Sequence, residues 1–335
     1  MIEEILRNLY RIEIPLPDSL LKSVNSYVIK DNDRDLVVDT GMHNEASLNA
    51  MRAAHKKLDV DLGRSDFFIT HFHIDHFGLV PRLAQNETVV YMNELERESI
   101  EKIRSGAFTV EIKDFLCLSG FPEKDPARIL RRDVEREIEM KTPLRFSFVR
   151  DAEMIERGGY RFACVVTPGH SRGHTCLYDG EQKILISGDH LLGDITPGIH
   201  GRVDGQNPLK QYLESLGRLH TLNVDIVLPG HRNPFRGFRK RIEEIQTHHR
   251  QRNQEVLAIL QERSGNAYEI ASHMTWNTDC DSWECLPLMQ SFFATGEAFA
   301  HLRYLEEEGR VKRRVQGKII LFSLDEPYGR KKDNA

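Results

Sequence analysis

The sequence predicts an α/β protein of sheets covered by helices, on three observations. Short apolar runs rich in strand-forming residues come in two groups, one before residue 93 and one between 154 and 228, with helical patterns between and after them. Several of these runs end directly in histidine or aspartate, often next to a glycine that lets the backbone turn sharply. Beyond residue 263 the pattern changes to short helices and a hairpin, which predicts a second, smaller domain.

In chain order, the runs from Ser26 to Lys30 and from Asp35 to Thr40 read as strands around the turn-forming Asp31 to Arg34, followed by a helix near Glu45 to Leu58. The run from Asp66 to Thr70 is a strand that delivers His71-Phe72-His73-Ile74-Asp75-His76, and a short strand follows at Val89 to Met92. Residues 94–140 are charged, helical in pattern and poor in convergent polar groups; they read as an inserted helical cap, or equally as a packed helical layer. Strands resume from Met154 to Thr167 around Gly158-Gly159, and from Cys176 to Ser187 around the hairpin signal Asp179-Gly180. An amphipathic helix from Leu209 to Leu222 and a strand from Val224 to Leu228 close an α/β domain expected over 1–245. A polar helix from Phe238 to about Glu262, of which 246–262 connects the domains, leads to a winged-helix-like module over 263–325 and a flexible tail over 326–335.

Three imidazoles and a carboxylate within six consecutive positions, at the mouth of a strand, point to a metal. Borderline divalent cations take imidazole nitrogen and carboxylate oxygen, and a hydrolytic centre needs several such groups plus an open position. Further candidates come after other strands: His170 after Thr167-Pro168-Gly169, Asp189 after Ser187-Gly188, and His231 after Leu228-Pro229-Gly230. His and Asp donors accept zinc, the ion expected here, and also iron or manganese, among which availability and geometry decide.

Composition sets the frame. With 335 residues, 40% hydrophobic and 29% charged, the chain is an ordinary globular one, and 46 basic against 51 acidic residues give no global attraction to nucleic acid or membranes. No basic leader precedes an apolar run, and five scattered cysteines suit a reducing compartment, so a cytoplasmic protein without membrane association is expected. Cys280 and Cys285 lack the spacing and the partner pair of a metal site.

Taken together, Thr70-His71-Phe72-His73-Ile74-Asp75-His76, Pro168-Gly169-His170-Ser171-Arg172-Gly173-His174, Gly188-Asp189 and Pro229-Gly230-His231 resemble the metallo-β-lactamase-fold hydrolases. The resemblance implies an αββα sandwich with His71, His73 and His170 on one ion, Asp75, His76 and His231 on a second, and Asp189 bridging. Asp75 and His231 resemble the glyoxalase II-related branch, and the C-terminal pattern is similar to members carrying a winged helix. Asp39 in Val38-Asp39-Thr40 resembles the family's acid that orients a histidine from behind. His174 reads as structural or supporting, and His190, beside Asp189, as able to reach the pocket.

The function expected on this basis is that of a dinuclear hydrolase in which two cations activate water against a thioester or related ester, a small-molecule substrate, with Asp75 and Asp189 as the catalytic carboxylates. Arg250 and Arg252 are candidate contacts for an anion on the substrate, or surface partners of neighbouring acids; His248 and His249 read as solvated. A lactone is an alternative substrate. RNA is another, given the basic Lys312, Arg313, Arg314 and Lys318, although Glu306 to Glu308 beside them count against it. A winged helix reading DNA is the non-enzymatic alternative, and a homodimer is compatible with the sequence.

Overall fold

A computed structural model describes residues 1–17, 19, 21–123, 126–129, 143–201 and 203–325. These form two compact units: the described residues of Met1–Gly106, Asp133–Pro197 and Ser215–Ile242 make one, and those of Ala107–Arg132, Gly198–Glu214 and Glu243–Ala335 the other.

The first unit holds two sheets. Strands β1 (Ile2–Leu6), β2 (Leu9–Pro15), β3 (Ser23–Ile29), β4 (Asp35–Val38), β5 (Ser65–Phe68), β6 (Val89–Met92) and β7 (Arg145–Phe148) lie side by side in chain order, antiparallel as far as β4 and parallel from β4 to β7. The second sheet has β8 (Met154–Arg157), β9 (Tyr160–Val166), β10 (Thr175–Asp179), β11 (Ile184–Gly188) and β12 (Ile226–Pro229), with only the β11–β12 pair parallel. Tyr27, Ile29, Val38 and Phe68 of the first sheet pack against Phe162, Leu177, Ile186 and Leu228 of the second in one core. Each large side chain buried there contributes about 1.5–3 kcal/mol. β3, β4 and β5 are buried at nearly every position, including polar residues such as Asn25, Ser26 and Asp66, as strands between two covered faces are.

The helix Glu45–Leu58 has the bounds its sequence predicts. Asn44 caps it by accepting from the Ser47 amide, and Asp59 ends it in a left-handed conformation. β4 stops two residues short of the expected Thr40 because Asp39 adopts a positive φ of 54°. β1, β2 and β7 have no counterpart among the expected strands; β1 and β7 have half-exposed sides and lack a long apolar run. Hydrogen bonds around the end of β12 are among those that join the sheets. The side chains of Asn25 and Tyr27 on β3 donate to the Pro229 carbonyl at the end of β12, at 2.9 and 2.8 Å, and the Asn25 amide donates to the Gly230 carbonyl at 2.7 Å.

In the second unit, helices Ala107–Leu118, Ala267–His273 and Leu288–Glu307 surround a core including Leu116, Ile270, Phe299 and Leu302. Asn266 and Glu269 form the capping box of the Ala267–His273 helix. The expected hairpin is present as β13 (Val311–Gln316) and β14 (Ile319–Leu324), turning at Gly317, whose φ of 64° suits glycine. The helix predicted from Phe238 runs to Glu262. The tail 326–335 and part of the 94–140 insertion lie outside the described residues. Among those described, no helix is long and apolar enough to cross a membrane, and all five cysteines are free.

Candidate metal centre

The centre is built where strands of both sheets end. His71 and His73 follow β5, and the helical turn Ile74–Phe77 carries Asp75 and His76. His170 lies between β9 and β10, Asp189 directly follows β11, and His231 follows β12. These seven side chains converge into three overlapping groups able to hold a cation: His71, His73 and His170; His71, His76 and Asp189; Asp75, His76 and His231.

In the first group His73 Nδ1 lies 2.9 Å from His71 Nε2 and 3.1 Å from His170 Nε2. One proton on His73 could serve only one of these two neighbours, whereas a cation serves all three lone pairs. In the group around Asp75, His231 Nε2 stands 3.4 Å from Asp75 Oδ2, and His76 Nε2 stands 3.8 Å from the same oxygen. Asp189 faces both sides: its Oδ2 is 3.3 Å from His231 and 3.8 Å from His170, and its Oδ1 is 3.5 Å from His76. His76 Nε2, His231 Nε2 and Asp189 Oδ1 are buried and lack hydrogen-bond partners, so three of the polar atoms that face the centre are left unsatisfied. The donor set fits two divalent cations.

Electrostatics divides the two halves. Burial, reinforced by the neighbouring histidines, holds His71 well below the ordinary imidazole range and His73 down to about 3, so both present neutral lone pairs. Burial also opposes charge on His76 and His231, but the carboxylates prevail: Asp189, Asp39 and Asp75 push His76 well up, and Asp189 and Asp75 push His231 to about 10. Asp75 and Asp189 are lowered in turn, because the facing histidines outweigh the cost of burial. This excess of carboxylate suits a cation.

The far nitrogen of three of these rings is fixed. His76 Nδ1 donates to Asp39 Oδ2 at 2.8 Å, His231 Nδ1 donates to the Ser23 carbonyl at 2.7 Å, and His71 Nδ1 lies 3.0 Å from the Thr70 hydroxyl. Asp39 also accepts from the Thr70 amide at 2.9 Å and hydroxyl at 2.8 Å. His174 is buried with Nδ1 2.9 Å from the Thr167 hydroxyl, and its Nε2 accepts from the Asp189 amide at 3.2 Å. Two glycines make room. A Cβ on Gly188 would lie 2.6 Å from His174 Nε2, and one on Gly230 would lie 2.4 Å from Asp189 Oδ1.

Other candidates fall elsewhere. His190 is buried 5.6 Å, ring to ring, from His174 and belongs to none of the three groups. In the second unit, Arg250 is exposed and donates to Thr247. Arg252 is buried, bonded to Glu255, Glu297 and the Thr275 carbonyl, with its guanidinium 4.3 Å from the Trp276 ring centroid. His249 corrects its solvated reading. It is 1% exposed, Nδ1 faces His301 Nε2 at 3.4 Å, and burial pushes it down to about 3, so it packs as a neutral ring.

Sequence reasoning missed Glu96. The helix Glu94–Arg104 belongs to a stretch that reads as poor in convergent polar groups, yet the fully buried Glu96 carboxylate accepts from the Phe72 amide at 2.8 Å and the Gly173 amide at 2.5 Å. Its only sequence signal, Asn93-Glu94-Leu95-Glu96 opening a helix, is also that of a cap.

Comparison with known proteins agrees with this geometry. Residues 254–324 match the model "Metallo-beta-lactamase-like, C-terminal domain". The chain is 26% identical over 220 residues to "Acyl-coenzyme A thioesterase MBLAC2" of Gallus gallus, covering 63% of this chain and 73% of that one. It is 24% identical over 243 residues to "Atrochrysone carboxyl ACP thioesterase" of Aspergillus fumigatus, a match that spans 72% of this chain and 61% of the relative's length. The crystal structure of the metallo-beta-lactamase family protein TTHA1429 from Thermus thermophilus superposes with a TM-score of 0.79 at 29% identity, covering 96% of this chain and 100% of that one. Residues 21–231, which contain every one of the seven convergent side chains, match the model of the Metallo-beta-lactamase superfamily, and the chain belongs to that superfamily.

Proposed function

We propose that this protein hydrolyses thioesters at a dinuclear centre, with His71, His73 and His170 holding one ion, Asp75, His76 and His231 the other, and Asp189 shared. The observation that carries the proposal is the position of Asp189, whose two oxygens face histidines of both groups. Zinc is the ion the imidazole-rich set favours. When bound, two such ions activate water near neutral pH and polarise a carbonyl oxygen.

The chain's own groups do the rest. Asp189 fixes the separation of the two halves, and the His174 ring fixes Asp189 through its amide. Asp75, with its side chain 19% exposed against 10% for Asp189, is the carboxylate placed to take or relay a proton from the attacking water when only the first group holds an ion and Asp75 is not itself a ligand. No side-chain nucleophile is required. The names of the chicken and Aspergillus relatives, acyl-coenzyme A and acyl-carrier-protein thioesterases, support a thioester over an oxygen ester. Asp75 and His231 support a glyoxalase II-related branch, the helices and hairpin over 263–325 support a winged helix, and the free cysteines support a cytoplasmic location. RNA is the second reading, resting on the basic wing; Lys312 faces Asp325 at 3.9 Å and Arg313 pairs with Glu306 at 3.0 Å, which weakens the wing's pull on phosphates.

The test is elemental analysis of the purified protein with parallel assays on acyl-coenzyme A, a lactone, a bis-phosphodiester and single-stranded RNA, using Asp189→Ala as the control. About two ions per chain and thiol release that the control loses are expected. Metal-dependent RNA cleavage without thiol release would transfer the protein to the second reading.

A further inference from the structure

We infer that Glu96 is a positioning residue that holds the two loops of the first metal group in register. It rests on the metal assignment proposed above, and not on the choice of substrate. Phe72 lies between His71 and His73, and Gly173 lies in the loop that carries His170 and His174. One carboxylate takes the amide of each, Oε2 from Phe72 and Oε1 from Gly173, from a residue with no exposed surface. Backbone amides donating to a carboxylate are among the stronger hydrogen bonds, and here they tie both loops to one helix, beside the Thr175 amide that donates directly to the Thr70 carbonyl at 3.0 Å.

The surroundings make this an anchored clamp. Asn93 caps the helix by accepting from the Leu95 amide, which fixes its first turn after β6. Gly173 packs so closely on that turn that a Cβ would sit 2.3 Å from Asn93 Oδ1. Arg172 reaches Glu98 on the same helix at 3.4 Å. The first turn of one helix thus fixes where His170 stands relative to His71 and His73. Metal sites depend on such supports, because ligand rings must be aimed before the ion arrives.

Glu96→Gln separates positioning from mere filling. Glutamine keeps the shape but has one acceptor oxygen, so its NH2 must face one of the two amides and that loop is released. The test uses the full chain stripped of metal. Titration with cobalt(II), followed by its visible absorption, is expected to show the first equivalent bound roughly 10–100-fold more weakly in Glu96→Gln with an altered band shape. The second equivalent should change little, and the Tm of the metal-free chain should fall only modestly, since one buried amide loses its acceptor. Hydrogen exchange at Phe72 and Gly173 should be slow in the metal-free native chain and fast at one of them in the variant. Glu98→Gln, which loses only the partly exposed pair with Arg172, should match the native protein.

Native cobalt affinity and spectrum in Glu96→Gln, even with a lowered Tm, would overturn the inference. If Glu96→Gln does not fold, fast exchange of the Phe72 and Gly173 amides in the metal-free native chain would overturn it equally. A native protein that binds two cobalt ions yet cleaves no thioester would sink the substrate proposal and leave Glu96 untouched.

Discussion

Asp39 stands behind His76, its Oδ2 2.8 Å from the ring Nδ1, and it does so from a left-handed backbone conformation with φ of 54°. A non-glycine residue is held there only when its surroundings insist, and Asp39 has three donors that do: the His76 ring, the Thr70 hydroxyl and the Thr70 amide. Asp39→Asn would turn an NH2 toward one of them. Zinc affinity, measured by competition with a chelating dye, is expected to fall roughly 10–100-fold. Unchanged affinity would mean that the Asp39 carboxylate does not support the centre.

Gly230 gives a steric test. A Cβ there would meet Asp189 Oδ1 at 2.4 Å and His76 Cε1 at 2.9 Å. Gly230→Ala should displace the shared carboxylate, lowering bound metal from about two ions toward one and activity by at least about tenfold, on the scale of lost metal-site supports. Elemental analysis after dialysis reads the first effect and thiol release the second.

His55 predicts an acid sensitivity unrelated to the metal. It is buried on the Glu45–Leu58 helix with neither ring nitrogen hydrogen-bonded, and burial, with help from Lys30, pushes it down to about 4. The unfolded chain takes up its proton near pH 6.5 while the folded chain refuses it. Stability is therefore full above about pH 6.5 and is lost as pH falls toward about 4, by about 3 kcal/mol in all. Urea unfolding of metal-free protein at about pH 7.5 and about pH 5 should show His55→Leu less acid-sensitive than the native chain, by about 2 kcal/mol.

Arg252 is expected to act on stability rather than on substrate. Its partner Glu297 is held above the ordinary carboxylate range by burial, against the pull of Arg252, and removal of the guanidinium leaves that carboxylate without its cation. Arg252→Met should cost about 3 kcal/mol in denaturant unfolding. KM for acyl-coenzyme A should stay within about twofold of native; a large rise in KM with native stability would return Arg252 to the substrate.

The seven candidate metal side chains were legible because each follows an apolar strand, and four of them crowd into six positions. The two-sheet architecture was legible for a related reason, since buried strands write short runs rich in apolar and β-branched residues. Glu96 was hidden because its chemistry is with backbone amides, which have no residue identity to read, and because its place in the helix mimics a cap. His249 was misread because its helix is polar along most of its length, while its burial against Tyr212 and His301 is a tertiary fact. β1 and β7 sit at the edges of the first sheet, where half-exposed strands carry mixed residues.

The place of β12 as the last strand of its sheet in the chain sets an order of events during synthesis. When the ribosome has released the chain as far as His170, every member of the first group is present, but His231 and the Pro229 carbonyl that receives Asn25 and Tyr27 are still to come. Gly173, whose amide Glu96 holds, and β10, which pairs with β9, come only after His170, so the first group is also closed by later chain. His231 is the last of the seven side chains to be made, and the strand before it brings the Pro229 carbonyl that receives Asn25 and Tyr27.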